Sequence, residues 1–479
     1  MRISFIVPPS LDGFKPAERS AGCTRLVYNM PNIYELIVAA QFEKLNHDVE
    51  YHDFVINNQS KKDLHSFLKQ HQTDVYCIWS VNLAIETDRE TVNIIRKYHT
   101  KKWILFLGPG PTYFPDRYLT DNYIVIARGE PEISASNLIN AIEHKQPLNT
   151  VNGISYLDED ENIIRTPTEK LIEDLDTLPF PARRLANGVL YRNPKLKHSP
   201  YTSVVTSRNC PYHCIYCVPS SLTFAREIES KALNGTKPPV SSRSIKNIDT
   251  ELALIAQQGY KSIAFVDDNF IWDSVRLQKI VDSLNKYGFH WGCQARADAI
   301  TPEVAGILSG SKCDYIDIGV ESFNNDILKF IRKGMTKDKI INAIKWLTKY
   351  NIPVKLNILI GASPLETKET IRDTVRTAKK MKVSQVMFNI VSPFPGTNFY
   401  ELAKKSGWIR GGEYRPTDVQ QESILDYPHL SGKEMERILF WSNFSFFMRP
   451  GIILRHLKQF RSFRDFYSAL KSFKVKMFG

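Results

Sequence analysis

Short apolar runs typical of buried β-strands alternate with helical patterns along two stretches of the chain, residues 1–145 and 200–400. A strand, a helix and a second strand in succession favour a parallel sheet, because parallel neighbours need a long crossover connection. Strands are predicted over 3–7, 49–54, 75–80, 104–107, 123–127, 202–207, 262–266, 290–294, 315–320, 354–360 and 385–391. Helices are predicted over 33–45, 87–98, 131–143, 249–258, 274–287 and 338–350. The sequence therefore predicts an α/β fold with two parallel sheets.

The alternation divides the 479 residues into four predicted parts. Residues 1–145 form a Rossmann-like (flavodoxin-like) domain, and 146–198 form a hairpin followed by a linker that prolines stiffen. Residues 199–400 form a second domain of six strand–helix units, and 401–479 form a mainly helical extension. Ligands of parallel sheets bind beyond the carboxyl ends of the strands, so these edges are where binding residues are expected.

Three cysteines, Cys210, Cys214 and Cys217, lie within eight residues at the spacing C-x3-C-x2-C. They follow the predicted strand 202–207, so they lie on a loop just past a strand end. Thiolates are the usual ligands of iron–sulfur clusters, which normally take four of them. Three thiolates leave one iron with an open position, and an open position distinguishes a catalytic metal site from a closed structural one.

Core packing, zinc ligation and disulfide formation each account less well for the three thiols. Free cysteines that only pack in a core have no reason to share one loop. A zinc site that adds His213 is the stronger alternative, but His213 is adjacent to Cys214 and no second Cys/His pair follows at zinc-ribbon spacing. No export signal is visible over 1–9 and no apolar run approaches the ~18 residues of a spanning helix, which predicts a reducing cytoplasm and disfavours a disulfide.

The thiol motif, with the aromatic Tyr216 before its last cysteine, resembles the signature of the radical S-adenosylmethionine (SAM) superfamily. The resemblance implies a 4Fe–4S cluster on Cys210, Cys214 and Cys217, whose open iron chelates the amino and carboxylate groups of SAM. An electron from the cluster then splits SAM into methionine and a 5′-deoxyadenosyl radical. The resemblance also implies a partial (β/α)6 barrel over residues 199–400.

The same resemblance assigns two contacts to the methionine end of SAM. Asp267 and Asp268 follow the second barrel strand, where the family binds the SAM amino group, often through Gly-Gly-Glu. This chain departs from that pattern, although a carboxylate suits an ammonium partner. Arg296 follows the third strand, and its planar guanidinium suits the SAM carboxylate.

The nucleoside end of SAM is assigned to the next three strand ends. Glu321 and Ser322 follow the fourth strand and resemble the family's ribose motif. Gly361 closes the fifth strand, and Pro395 lies in a loop over 393–397 that resembles the adenine cover. Each residue also has a structural alternative, because turns need glycine and acids cap helices. The sequence assigns no catalytic side chain and no substrate contact.

The first domain has a glycine turn at Gly108, Gly110 and Thr112, and a second turn at Gly129 and Glu130. No G-x-G-x-x-G is present, so a dinucleotide site is not supported. The two turns resemble those of the cobalamin-binding domain that precedes many radical SAM enzymes. The Asp-x-His-x-x-Gly motif is absent, so the resemblance implies cobalamin whose cobalt has no histidine ligand. A flavodoxin-like domain that only packs is the alternative.

Charge is concentrated near the end of the sequence. The net charge is +12, and residues 437–479 contain nine Lys/Arg against the single acid Asp465. The rest is close to neutral, which disfavours a nucleic-acid-binding surface. Apolar residues from Ile453 to Leu470 recur at helical spacing, after aromatics that include Trp441 and Phe444. Two interpretations of this pattern remain open. It predicts either a basic amphipathic helix that lies on an anionic membrane or a lid helix that packs on the barrel.

This extension resembles that of cobalamin-type radical SAM proteins associated with hopanoid biosynthesis and with the anaerobic chlorophyll-ring cyclase. The resemblance implies a hydrophobic or lipid-like small-molecule substrate. It also implies methyl transfer from methylcobalamin to an unactivated carbon, with a second SAM that remethylates the cobalamin and a reductase, flavodoxin or ferredoxin as electron donor. Cyclisation, rearrangement or oxidation without methyl transfer is the enzymatic alternative. A cobalamin or metal-cluster sensor is the non-enzymatic one. We expect a cytoplasmic protein with peripheral contact to the inner membrane face.

Overall fold

The computed structural model describes residues 1–383 and 385–459. The chain forms two compact units. The first contains Met1–Pro211, Val218–Asp268 and Lys286–His290. The second contains Tyr212–Cys217, Asn269–Asn285 and the residues from Trp291 on. The division of the sequence at 145, 198 and 400 stays a prediction.

The first unit is built on a seven-stranded sheet of β1 (Arg2–Val7), β2 (Asp48–Asp53), β3 (Val75–Trp79), β4 (Trp103–Leu107), β5 (Ile124–Ala127), β6 (Ile154–Leu157) and β7 (Ile163–Arg165). Its helices are α1 (Ile33–Lys44), α2 (Lys61–Gln70), α3 (Ile85–Tyr98), α4 (Pro109–Tyr113), α5 (Pro115–Tyr118) and α6 (Pro131–Glu143). The strand order is β2-β1-β3-β4-β5-β6-β7, parallel from β2 to β5 and antiparallel beyond. The predicted parallel sheet is confirmed.

The central strands are apolar on both faces because helices cover both. β3 and β5 are buried along their whole length, as expected of strands in a covered parallel sheet. Helix α1 packs with α6, and α2 packs with α3.

Two local expectations for the first unit need correction. The hairpin predicted as part of a connector is present as β6 and β7, but β6 pairs with β5 and extends the sheet. This pairing satisfies the backbone groups at the edge of β5. The glycine turn after β4 is a short helix, α4, because Gly108 at φ 95° breaks the strand and Pro109 suits the first helical position.

The barrel strands of the rest of the chain are β8 (Tyr201–Val204), β11 (Ser262–Phe265), β12 (His290–Ala295), β13 (Cys313–Glu321), β14 (Val354–Ile360) and β15 (Gln385–Ile390), with a small ribbon of β9 (Ser207–Arg208) and β10 (Ser241–Ser242). The helices are α7 (Ser221–Asn234), α8 (Ile245–Gln257), α9 (Ser274–Tyr287), α10 (Pro302–Ser309), α11 (Asn325–Phe330), α12 (Lys337–Lys349), α13 (Lys368–Lys380), α14 (Asn398–Lys405), α15 (Gly432–Phe447) and α16 (Pro450–Gln459). All six predicted strands are present, each followed by a helix. β8 pairs with β11 in the first unit, and β12 to β15 pair in chain order in the second, all in parallel.

One face of the β12–β15 sheet is apolar and the other is polar. Leu356 and Ile358 of β14 are buried, whereas Lys355 and Asn357, which alternate with them, are half-buried. Lys355 pairs in register with Asp317 of β13, and their side chains form an ion pair of 2.9 Å. A parallel strand buried in apolar surroundings on both faces lacks this alternation, so the polar face is the side that meets ligand or solvent.

Helix α15 packs on β15 and on α13. The rings of Phe388 and Phe446 lie 6.3 Å apart in this contact, which supports the predicted lid helix for this part of the extension. Most of the predicted basic amphipathic pattern falls on residues 460–479, which lie outside the described residues. Within the described residues, no helix is both long and apolar enough to cross a membrane.

Two glycines of the second unit give a matched test of packing. A Cβ on Gly292 of β12 would enter the Tyr315 ring, whereas a Cβ on Gly306 of α10 would meet nothing within 4 Å. We expect Gly292→Ala to destabilise the protein by about 1–3 kcal/mol, because overpacking displaces the ring. Gly306→Ala should be neutral or stabilise by up to about 1 kcal/mol, because alanine favours a helix interior. Thermal unfolding of both variants measures the difference, and equal midpoints would contradict the predicted contact.

Candidate active site around the three-cysteine loop

The three cysteines lie on an irregular segment between β9 and α7. Cys210, Cys214 and Cys217 are all half-buried. The middle of the segment is held by the backbone of Ile215, whose N–H donates to Ile331 at 3.1 Å and whose carbonyl accepts from Phe399 at 2.9 Å. The thiol positions are therefore fixed by the fold and not by the loop alone.

Asp268 fastens the two ends of this loop. Its carboxylate accepts hydrogen bonds from the backbone N–H of Asn209 at 3.0 Å, from that of Ser220 at 2.7 Å and from the Thr223 hydroxyl at 2.5 Å. Burial raises the pKa of Asp268 above its ordinary value, against the effect of these donors. The contacts make Asp268 a positioning residue for the thiol loop, and its predicted contact with the SAM amino group stays a prediction.

The carboxylate of Asp267 also has hydrogen-bond partners within the protein. It is buried and accepts hydrogen bonds from the Thr206 N–H at 3.1 Å, the Thr206 hydroxyl at 2.6 Å and the Ser207 hydroxyl at 2.6 Å. These contacts explain why β8 ends at Val204 and not at the predicted Ser207, because the side chain takes a donor that a strand ladder would use. The assignment of Asp267 to SAM is untested.

Arg296 lies directly beside the thiols of the second unit. Its Nη1 is 4.0 Å from the Sγ of Cys214, and its guanidinium carbon lies 3.4 Å from the centre of the Tyr212 ring. Asp298 accepts from Nε at 3.0 Å and from Nη2 at 2.7 Å, and the Lys333 carbonyl accepts from Nη2 at 2.7 Å. Asp298 thus takes one edge of the guanidinium and leaves Nη1 facing the thiol. Sequence reasoning found Arg296 but not its partners.

Lys333 is a buried cation that sequence reasoning missed. Its Nζ lies 2.8 Å from a carboxylate oxygen of Glu321 and 3.5 Å from the hydroxyl of Tyr216. Burial lowers the pKa of Lys333, but the charges of Glu321 and Cys214 outweigh it and the pKa is raised. A Cβ on Gly319 would stand 2.9 Å from Nζ, so the glycine of the predicted ribose motif makes room for this ion pair.

Both predicted ribose residues have internal partners. Glu321 pairs with Lys333 and adopts a positive φ of 61°. The Ser322 hydroxyl lies 3.3 Å from that of Thr374 and accepts from the Asn324 N–H at 3.2 Å. A backbone held at positive φ by a non-glycine residue indicates strain that functional sites often keep. Ribose binding by either residue stays a prediction.

Gly361 and Pro395 lie in enclosed turns at the ends of β14 and β15. Gly361 has φ 75°, and an added Cβ would enter the Met435 sulfur. Its N–H donates to Glu366, and its carbonyl accepts from the Tyr427 hydroxyl at 2.8 Å. Pro395 is buried in a turn that leads to Thr397, the N-cap of α14. Both turns shape the carboxyl edge of the barrel strands, whereas their predicted contacts with SAM are untested.

The glycine motifs of the first unit meet each other. The Thr112 hydroxyl donates to the Gly108 carbonyl at 2.8 Å and accepts from the Gly129 N–H at 3.2 Å. A Cβ would stand 2.5 Å from the Ser80 carbonyl oxygen at Gly108 and 2.5 Å from the Tyr118 hydroxyl at Gly110. These glycines permit close approach of backbone and side chains, and α4 packs on α7.

The acidic turn after β5 binds the segment that leads into the thiol loop. Arg208 donates to Glu130 and, at 2.6 Å, to Glu132, and Arg226 of α7 lies 3.1 Å from Glu130. All four side chains are buried. Burial lowers the pKa of Arg208, but Glu132 and Glu130 outweigh it and the pKa is raised. The contacts support a positioning role for Glu130, and direct cobalamin contact stays a prediction.

The carboxyl edge of the first sheet also contains polar groups that no motif identified. A small pocket that opens to solvent lies at the ends of β1 and β2, and Asn32, Tyr51 and Asp53 line it. Asn32 and Asn82 are buried, and neither amide has a hydrogen-bond partner among the described residues. Buried amides without partners are costly, so this edge is suited to a ligand rich in hydrogen-bonding groups.

Glu366 predicts a pH dependence of stability. Burial raises its pKa from 4.5 to about 8, although the N–H groups of Gly361 and Ala362 oppose the shift. The unfolded chain loses this proton near pH 4.5 and the folded protein only near pH 8, so the free energy of unfolding falls as pH rises between these values. The fall is at most about 1.4 kcal/mol per pH unit for one proton.

Thermal unfolding of the wild type and of Glu366→Gln, recorded from about pH 5 to pH 8, measures this effect. The variant should lose the part of the pH dependence that Glu366 contributes. Parallel curves for the two proteins would contradict the raised pKa.

Three cysteines on the loop past the first barrel strand, with a guanidinium beside Cys214, are suited to holding a metal cluster. Residues 204–378 match the model of the radical SAM superfamily. This match confirms the radical SAM domain that the thiol motif predicted.

Relatives match nearly the full length. An uncharacterized methyltransferase of Pyrococcus horikoshii is 24% identical over 468 residues, which cover 97% of this chain and 96% of the relative. An anaerobic magnesium-protoporphyrin IX monomethyl ester cyclase of Rubrivivax gelatinosus is 22% identical, over 95% of this chain and 78% of its own.

Two solved structures have the same fold. The match to the cobalamin-dependent S-adenosylmethionine radical enzyme OxsB covers 100% of this chain and 72% of the OxsB chain, with a TM-score of 0.72 and 16% identity. The match to the radical SAM methyltransferase TsrM from Kitasatospora setae covers 91% of this chain and 84% of the TsrM chain, with a TM-score of 0.65 and 16% identity. These matches confirm the predicted fold class.

Proposed function

We propose that this protein is a cobalamin-dependent radical SAM methyltransferase that acts on an unactivated carbon of a small molecule. The observation that carries the proposal is the three-thiol loop in a chain whose whole length shares the fold of an enzyme described as cobalamin-dependent. The methyltransferase of Pyrococcus horikoshii, matched over almost its whole length, supports methyl transfer.

The surroundings of the thiols fit a 4Fe–4S cluster on Cys210, Cys214 and Cys217. A cluster held by three thiolates carries net negative charge, and hydrogen bonds to its sulfurs tune its potential. Arg296 directs Nη1 at Cys214, and the buried Lys333 adds a second positive charge to the same surroundings. Both cations lie on the side of the loop where the negative charge of a cluster would be placed.

When bound, the cluster would supply the electron that cleaves SAM, and cobalamin would supply the methyl group. The protein's part is to hold and orient these groups. Asp268 fixes the loop that carries the thiols, and Asp298 orients Arg296 by a two-point ion pair. A radical SAM domain also requires a reductant, for which we propose a reductase, flavodoxin or ferredoxin.

The first unit fits cobalamin by the chemistry of its carboxyl edge. Cobalamin carries several amide side chains around its ring. The amides of Asn32 and Asn82, which have no partner within the described part of the chain, can exchange hydrogen bonds with such groups. The pocket at the ends of β1 and β2 is lined partly by polar residues. Gly108, Gly110, Thr112 and Gly129 lie at the ends of β4 and β5 on the same sheet and stay proposed contacts.

Replacing one thiol tests the proposal. Anaerobically reconstituted Cys214→Ala should release no 5′-deoxyadenosine from SAM above background, because its cluster lacks one of three ligands. Cys313→Ala is the matched control, since Cys313 is a buried thiol at the start of β13, and it should cleave SAM as the wild type does. Continued SAM cleavage by Cys214→Ala would contradict the assignment.

Methyl-labelled SAM separates methyl transfer from the alternative chemistry. Label in the product, dependent on added cobalamin, is the expected result. Cyclisation, rearrangement or oxidation is the second candidate, favoured by the likeness to the Rubrivivax gelatinosus cyclase over 95% of this chain. A product without label would favour that candidate and leave the radical SAM assignment intact.

For the substrate we propose a hydrophobic or lipid-like molecule that presents a polar group to the barrel. The large apolar side chains exposed on the last described helices support contact with a membrane surface. Trp441 is 61% exposed, Leu454 58% and Met448 44%. The polar face of the β12–β15 sheet, with Lys355 and Asn357, supports a polar group on the substrate.

Vesicle binding tests the membrane contact. The protein should cosediment with vesicles rich in phosphatidylglycerol and not with phosphatidylcholine vesicles, and salt should weaken the binding. Trp441→Ser with Phe444→Ser should lower the affinity about tenfold or more, because burying one aromatic side chain contributes about 1.5–3 kcal/mol. Trp272→Ser is the matched control, since Trp272 is 46% exposed on a different segment. An equal loss of vesicle affinity in Trp272→Ser and in the Trp441→Ser, Phe444→Ser double variant would contradict the proposed membrane surface.

A further inference from the structure

We propose that Glu50, His52 and His71 form a Zn²⁺ site on the first unit, separate from the cluster, SAM and cobalamin. Each residue offers one ligand atom, and the three atoms lie within 4.8 Å of one another. All three side chains are half-buried, so an ion can reach them from solvent.

The fold brings the three side chains together from two elements. Glu50 and His52 are two residues apart on β2, so they project from the same face of the strand. β2 is the edge strand of the sheet. His71 is the residue directly after α2, the helix that leads from β2 to β3. The site therefore joins the edge of the sheet to the end of its first crossover helix.

Aromatic packing holds both imidazoles in place. Phe67, which belongs to the apolar core of the unit, packs against both, with its ring centre 4.3 Å from that of His52 and 4.0 Å from that of His71. The two imidazoles lie 5.2 Å apart at an interplanar angle of 79°. Rings fixed in this way lose little freedom when they bind an ion.

The second nitrogen of His71 has the partner that metal-binding histidines usually have. Its Nδ1 lies 3.2 Å from the Phe67 carbonyl oxygen. Because a carbonyl only accepts, Nδ1 carries the proton and Nε2 presents its lone pair. Metal-ligating histidines commonly donate their other N–H to a carbonyl or carboxylate in this way, which fixes the ring and raises its basicity.

His52 faces Glu50 on the same strand. Its Nε2 lies 3.1 Å from a Glu50 carboxylate oxygen, a separation close to that of two ligands on one tetrahedral ion. An ion between these atoms would replace the contact that they make with each other.

The ligand set points to zinc. Two imidazoles and one carboxylate make up a common zinc set that leaves a fourth position for water. Magnesium and calcium prefer sites made of oxygen ligands, so neither suits two histidines. Zinc binding here would stabilise the folded first unit, because the unfolded chain does not hold the three ligands together.

Zinc affinity of the holoenzyme, with its cluster in place to occupy the thiols, tests the proposal. Anaerobic competition against a chromophoric zinc chelator should give one zinc per chain beyond the iron of the cluster. His52→Gln and His71→Gln should each weaken this binding by at least about tenfold, a loss that removal of even a supporting residue commonly causes. Affinity should fall on acidification as the imidazoles take protons.

His65→Gln is the matched control, because His65 lies on the same helix and contacts Tyr98 at 2.9 Å outside the proposed site. It should bind zinc as the wild type does. Glu50→Gln leaves the stacked rings untouched and should also weaken binding, which keeps the proposal testable if a histidine variant fails to fold. Zinc should raise the unfolding midpoint of the wild type and not that of His71→Gln, and magnesium should raise neither.

Zinc uptake that is equal in the wild type, Glu50→Gln and His71→Gln would identify an adventitious ion and overturn the proposal. The absence of any zinc bound beyond the cluster iron in the wild type would overturn it as well. SAM cleavage is expected to be unchanged in all these variants, so failure of the zinc site and failure of the proposed enzymatic function are distinguishable.

Discussion

The carboxylate of Asp268 gives the thiol loop its shape. A loop of irregular backbone exposes N–H groups that helices and sheets would satisfy internally, and each such group left buried without a partner is costly. Asp268 accepts from an N–H before Cys210 and from another after Cys217. Its third donor, Thr223, belongs to the first turn of α7. One buried side chain thus joins a strand end, the ends of the cysteine loop and the following helix.

The charged side chains around this loop are also buried together with partners. Arg208 is buried between Glu130 and Glu132, and Lys333 is buried beside Glu321. Ion pairs of this kind add little net stability, since desolvation offsets most of the attraction. Removing one partner, however, leaves an uncompensated buried charge. Such ion pairs therefore fix the positions of side chains more than they stabilise the fold. Fixed positions suit a loop that carries three thiols.

The sequence motifs have two kinds of role in the structure. The three cysteines lie on one loop with a cation beside them, as their chemistry requires. The Gly-Glu-x-Glu turn and the Asp-Asp pair, assigned to cofactors by resemblance, are occupied by internal partners on the segments around that loop. Both sets of contacts lie within the first unit, and they explain why those residues are needed at those positions even before a cofactor is considered.

Local pattern determined the elements of this protein and the chemistry of its central loop. Apolar runs and helical spacing located all eleven predicted strands, because continuous burial in strands such as β3 and alternating burial in strands such as β14 each leave a signal in a short segment. The thiol spacing indicated a cluster, because ligand chemistry depends on a few neighbouring residues. Only the tertiary structure decided which charges surround Cys214, that Lys333 is among them, that Asp268 closes the loop, and that Glu50, His52 and His71 meet. The contact between Lys333 and Tyr216 joins residues 117 positions apart, and no local pattern encodes a distance that only the folded chain creates.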